Sequence, residues 1–131
     1  MAFQSFGGRF AVPCLCLVLV AAAGCGGPAA SGDLDKVGIA ISRFDVTVTN
    51  TSGRALMEMR VEILPVGRAT AYTARVPRLE NGQKAELSFA RFSDRSAIQF
   101  SPRTAKPQAV AVTANDVDGT EIHVEVPWTQ K

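Results

Sequence analysis

The chain predicts an all-β, two-sheet sandwich of about seven antiparallel strands. Three observations carry that reading. From Val37 onward, apolar and polar residues alternate in short runs, the period-two signature of half-buried strands. Turn-forming residues interrupt those runs every 8 to 12 residues or so, as in small sandwiches. No stretch beyond the first 25 residues keeps an apolar period of 3.6 over three turns, so no long helix is expected.

Composition sets the outer limits. The chain has 131 residues, 47% of them hydrophobic and 20% charged, enough for a core and too balanced for a disordered chain. Its formal charge is +2; without Arg9 the remainder carries 13 basic and 12 acidic residues, a balance of +1. So even a balance makes nucleic acid an unsuitable partner. Cys14, Cys16 and Cys25 are the three cysteines, and all precede the alternating region. A disulfide framework, a catalytic thiol and a thiolate zinc site are therefore excluded from that region, and no cofactor is expected.

Residues 1–24 read as an export signal. Met1 to Arg9 carries one positive charge and no acid, and Phe10 to Ala23 is almost wholly apolar. Small residues then lead to Cys25, the order of a secretory leader. Pro13 interrupts the run, which is shorter than the roughly 20 residues a spanning helix needs. Residues 25–33, beginning Cys-Gly-Gly-Pro-Ala-Ala-Ser-Gly, hold nothing able to build a core and read as a flexible tether. Residues 34–131 are assigned to the sandwich.

The strands follow in order. Val37, Ile39 and Ile41 share one parity, and Phe44, Val46 and Val48 share the other. A bulge or sheet switch is expected near Ser42-Arg43, with all six side chains inward. Asn50-Thr51-Ser52-Gly53 is a turn. Met57, Met59, Val61 and Ile63 then alternate with Glu58, Arg60 and Glu62, placing both methionines in the core. Pro65 and Gly67 end that strand. Tyr72, Ala74 and Val76 form the next inward row, closed by Pro77, and Asn81-Gly82 marks a tight turn before Ala85, Leu87 and Phe89. Ala90 to Pro107 reads as a long loop with one short strand, containing Phe92, Ile98 and Phe100. Ala109 to Ala114 pairs with the strand carrying Ile122, Val124 and Val126 across Asp116-Val117-Asp118-Gly119. Trp128 is expected to close the sandwich bottom, the alternative being an exposed interaction anchor.

Two resemblances extend this reading. Ala22-Ala23-Gly24-Cys25 resembles the lipobox of bacterial lipoproteins, with Ala22 where that family usually has leucine. The resemblance implies that Cys25 is lipidated on sulfur and becomes the mature N-terminus, and that the partner there is a membrane. Because Cys25 is followed by glycine, it further implies the periplasmic face of the outer membrane in a two-membrane cell. The competing reading is a plain cut after Ala23 with Ala21 and Ala23 as the recognised pair, giving a soluble secreted or periplasmic protein. Val46 to Gly53, Leu79 to Gln83 and Glu125 to Trp128 resemble small immunoglobulin-like domains of bacterial cell-envelope lipoproteins, including the FxLYD type. Those motifs are structural, so they imply a fold and leave the activity open.

Candidate chemistry is sparse. His123 shares a strand face with Glu121 and Glu125, the one grouping that suggests a metal-dependent or hydrolytic enzyme. Three ligands in line on one strand do not wrap a metal, so a polar strand face is the preferred reading and no metal is assigned. Asp116 to Gly119 lacks the further oxygen ligands of a calcium loop, and no serine sits in a nucleophile elbow. The chain is therefore read as a non-catalytic binding or structural module. Charge offers one candidate surface: from Arg54 to Lys106 ten basic residues face five acidic ones. Convergence of Arg75, Arg78, Arg91, Arg95 and Arg103 would hold an anionic envelope protein or glycan, whereas dispersed arginines would be an ordinary solvated surface.

Overall fold

Residues 29–67 and 70–129 are described by the structure, a computed structural model. The expected signal peptide, Cys25 and the first part of the tether lie outside the described residues. Among the described residues eight strands form two antiparallel sheets: β1 (Ser31–Gly32), β2 (Val37–Ile41), β3 (Asp45–Asn50), β4 (Leu56–Pro65), β5 (Tyr72–Leu79), β6 (Lys84–Ser88), β7 (Pro107–Asp116) and β8 (Glu121–Pro127). The larger sheet has the order β1-β8-β7-β4-β5 and the smaller β2-β3-β6. A single 3-10 turn, Phe89–Arg91, follows β6. The fold is the all-β sandwich that the alternation predicts, with one strand more than expected.

The extra strand is β1. Ser31 pairs with Glu125 and Gly32 with Val124, so the end of the stretch read as tether is part of the sheet edge. Gly32 makes this possible. Its φ is +90°, and a β-carbon there would stand 2.1 Å from the carbonyl oxygen of His123. Asp33 completes the pairing, donating its N–H to His123 O at 2.9 Å while its carboxylate accepts the His123 N–H at 3.2 Å.

Between the sheets lies one apolar core. The small sheet supplies Val37, Ile41, Val46, Val48 and Leu87, and the large sheet faces them with Leu56, Met59, Val61, Ile63, Val110, Val112, Ile122 and Val124. β7 is central and buried on both faces, because Ala109 and Ala111 point outward beneath longer cross-strand neighbours. Those neighbours are Glu62 and Leu64 on β4, and Glu125 and Pro127 on β8.

Two side chains depart from the alternation. Met57 was expected inward, but β4 bulges at Glu58: the register against β7 shifts between Met57 and Arg60, and Glu58 has φ of +50°. Leu56 is therefore buried in place of Met57, and the inward phase resumes at Met59. The matching position on the edge strand β5 is Pro77, between Arg78 opposite Met57 and Val76 opposite Met59. Proline tolerates an edge at which no ladder donor is needed.

Phe44 is the second departure, 76% exposed rather than inward. Neither a bulge nor a sheet switch separates β2 from β3; they form a hairpin. Ser42 Oγ accepts the N–H groups of Phe44 and Asp45, which turns the chain within two residues and leaves Phe44 at the tip. Ile98 is exposed on the loop between Phe92 and Phe100. That loop is fixed by single bridges from Ser93 to Thr73 and Gln99 rather than by a named strand. Phe92 and Phe100 are both buried.

The two ends of the sandwich are built differently. At one end, Asn50 is fully buried and donates from Nδ2 to Leu79 O at 2.9 Å and Arg54 O at 2.6 Å. Its Oδ1 accepts Ser52 N–H and Ser52 Oγ–H. The side chain thus ties β3 of one sheet to β5 of the other. At the opposite end, aromatic rings close the core: Phe89 meets Phe100 at 5.1 Å and Trp128 at 5.8 Å, and Tyr72 meets Phe100 at 5.3 Å between centroids. Trp128 is half-buried there, the closing role expected of it.

Candidate functional site

The outer face of the large sheet carries the candidate chemistry. Inward Ile122 and Val124 force Glu121, His123 and Glu125 outward on β8, as the parity predicts. His123 Nδ1 lies 3.2 Å from Thr113 Oγ1, its cross-strand partner on β7. Among the described residues, no three His, Cys, Asp or Glu side chains converge to hold a metal ion. The Asp116 carboxylate accepts the N–H groups of Asp118 and Thr120, and Gly119 adopts φ of +81°. That carboxylate is committed to the β7–β8 turn, the role the Asp-Gly sequence predicts.

Of the five candidate arginines, three come together. Arg75 projects from the outer face of β5, Arg91 ends the 3-10 turn, and Arg95 stands on the loop that follows. All three line an open depression of about 830 Å³, together with Thr73, Ser93 and Asp94. Arg60 is the fourth cation of this depression, directly opposite Arg75 across the β4–β5 ladder. Like charges placed opposite each other on a ladder repel, which makes a bound anion favourable at this point.

The carboxylates present cancel these cations only in part. Glu62 pairs with Arg60 at 2.8 Å. Asp94 accepts the backbone N–H groups of Ser96 and Ile98 at 2.8 and 3.0 Å, which holds its loop. Among the described residues, Arg75, Arg91 and Arg95 form no ion pair. The depression therefore has four guanidinium groups against two carboxylates. It continues along the sheet into a second hollow of about 500 Å³ that shares Arg60 and Arg75 and extends over the Glu58 bulge toward Asn115.

Arg78 and Arg103 are not part of it. Arg78 is hydrogen-bonded through Nε to Glu80 and lies beside the Met57 sulfur at 3.8 Å. The hydrogen bond and charge of Glu80 hold its guanidinium above its ordinary pKa. Arg103 is exposed on the turn that precedes β7. Sequence reasoning placed Arg60 on the water face without giving it a role. The missing information was the Arg60–Arg75 register, which arises from long-range pairing and has no local signal.

No protein-family model, curated protein or solved structure matches this chain.

Proposed function

We propose that this protein is a lipid-anchored module of the cell envelope, held by acylated Cys25, which binds an anionic envelope component on the outer face of its large sheet. The observation that carries the binding role is the gathering of Arg75, Arg91 and Arg95 with Arg60 around one open depression. Guanidinium groups present planar forks that match carboxylate and phosphate oxygens, and a shallow, open site suits a group on a larger partner better than a small enclosed substrate. The lipobox-like Ala22 to Cys25 and the likeness to envelope lipoprotein domains supply the address, the periplasmic face of a membrane. On this reading the outer-face His123 and its neighbouring glutamates are surface, and the protein is not an enzyme.

Two measurements test it. An alkyne-tagged fatty acid fed to cells is expected to label the wild type and not Cys25→Ala; an unlabelled wild type refutes the anchor and leaves the secreted alternative. A photo-crosslinking residue at Thr73, inside the depression, is expected to capture a discrete adduct in intact envelopes. Arg75→Glu with Arg91→Glu is expected to abolish that adduct. Protease or glycosidase treatment of the adduct separates a carboxylate-bearing protein from a phosphate-bearing glycan. An adduct indifferent to both charge reversals, or none from wild type at normal abundance, refutes the binding role.

A further inference from the structure

The end of the sandwich at which the tether arrives has a surface unlike the other end. Ser31 pairs with Glu125, and the chain runs from there through Gly32 beside Val124 to Asp33 at His123. Residues before Ser31 therefore lie toward Pro127 and Trp128, the end closed by the aromatic rings. Only residues 26–30 separate Cys25 from Ser31. Six Cα steps span at most about 20 Å, so an anchor at Cys25 holds this end against the surface in which the anchor is embedded.

Two exposed apolar side chains stand here. Phe44 is at the β2–β3 tip, whose carbonyl accepts the Phe89 N–H at 2.9 Å, and Val66 is bonded through its N–H to Lys106 O at 2.7 Å. They are 76% and 58% exposed. Around them are the exposed cations Arg43, Arg91, Arg103 and Lys106. The carboxylate at this tip, Asp45, accepts the Ser42 hydroxyl at 2.8 Å within its own turn. The far end has the opposite sign. There the turns holding Asp33, Asp35, Glu80, Asp116 and Asp118 converge; Lys36, Arg54 and Arg78 are paired with Asp33, Asp118 and Glu80, and the exposed Leu34 and Val117 stand among these carboxylates rather than among cations.

We propose that the Phe44 end docks directly on an anionic phospholipid surface, a role that rests on the Cys25 anchor. Phe44 and Val66 enter the headgroup layer, and Arg43, Arg103 and Lys106 meet lipid phosphates, the division of labour by which cation-rimmed apolar residues bind interfaces. The acidic far end is repelled by the same surface, so charge and tether select one orientation. The strands then stand away from the membrane and the arginine-lined depression opens sideways, where a neighbouring envelope component can reach it.

Protein purified from envelopes and reconstituted in phosphatidylglycerol or phosphatidylcholine vesicles with a spin-labelled quencher lipid tests this. Thr104→Cys at the docking end and Val117→Cys at the far end each carry a thiol-reactive fluorophore. The wild type comes first: acylated Cys25 offers no thiol, so fluorophore on the wild type means that the anchor reading has failed, independently of docking. With the anchor intact, quenching is expected at Thr104→Cys in phosphatidylglycerol, reduced in phosphatidylcholine and by salt, and absent at Val117→Cys. Removing each of Arg43, Arg103 and Lys106 lowers the docked-to-undocked ratio roughly fivefold per cation. Phe44→Ser, on the exposed tip, lowers it with unchanged Trp128 fluorescence. Equal signals at the two ends, or quenching indifferent to lipid charge, overturn the proposal.

Discussion

Replacing Asn50 by alanine is expected to be among the most damaging single changes in the sandwich outside its apolar core. The side chain makes four hydrogen bonds: Nδ2 to Leu79 O and Arg54 O, and Oδ1 from Ser52 N–H and Ser52 Oγ–H. The Leu79 bond is buried and crosses from one sheet to the other. Withdrawing a donor from a buried acceptor costs about 1–3 kcal/mol, and a net bond at the wetter positions is worth about 0.5–1.5 kcal/mol. Water replaces some of the latter, so the total is about 3 kcal/mol. For a domain of about 100 residues each kcal/mol moves Tm by about 4–8 °C, which gives a fall of about 12–24 °C.

Thermal unfolding followed by far-UV circular dichroism and by fluorescence measures this. Trp128 is the only tryptophan and packs at the opposite end from Asn50. Coincident shifts in the two signals show that losing the Asn50 tie destabilises the whole sandwich. Asn50→Asp separates volume from hydrogen bonding. It keeps the acceptor used by Ser52 but points carboxylate oxygen at two carbonyl oxygens, so at neutral pH it is expected to fall below the alanine variant. A loss smaller than about 1 kcal/mol in Asn50→Ala, about 4 °C, refutes the claim that this side chain locks the two sheets.

Two further outcomes follow from backbone geometry. Gly32→Ala sets a β-carbon against the His123 carbonyl, so β1 is expected to peel from β8 while the core stays folded; faster amide exchange at Asp33 and His123 with little change in Tm supports this, and unchanged exchange refutes it. Ala97 has φ of +62° at the tip of the Asp94 loop, which glycine adopts without strain. Ala97→Gly is expected to stabilise by about 0.5–1 kcal/mol, read as a small rise in Tm, because Phe92 and Phe100 couple that loop to the core; a loss of stability refutes it.

The class of fold was legible because alternation is a local property. Val46 and Val48, Val61 and Ile63, and Ile122 and Val124 each record which way a strand faces. Where the pattern misled, a local irregularity intervened. The Glu58 bulge exchanges Met57 for Leu56 in the core, and the sequence offers only the Pro77 opposite as a hint. Phe44 reads as core because it continues the parity of Val46, yet the Ser42 hydroxyl holds it in the turn and the strand begins only at Asp45. β1 left no signal, since two residues of Ser-Gly have neither period nor propensity and acquire structure only from β8. Arg60 could be placed on the correct face but not in the candidate site, because a shared depression depends on register between strands and on the course of the loop carrying Arg91 and Arg95.

β1 changes what the tether can do. A free linker of nine residues would let the sandwich sample many orientations, since a flexible chain's ends spread with the square root of its length. Pinning Ser31 and Gly32 to β8 removes the last part of that linker and fixes the point at which it leaves the domain. With the anchor proposed at Cys25, orientation depends on which end is nearer to it, and the nearer end carries Phe44, Val66 and the surplus of cations. Two residues of pairing are a weak attachment, so its benefit is geometric rather than energetic. This separates two effects in the Gly32→Ala variant. With β1 released, stability is retained, but the preference of the Phe44 end for an anionic surface has to rely on its apolar side chains and cations without the fixed exit of the tether, and becomes more sensitive to salt.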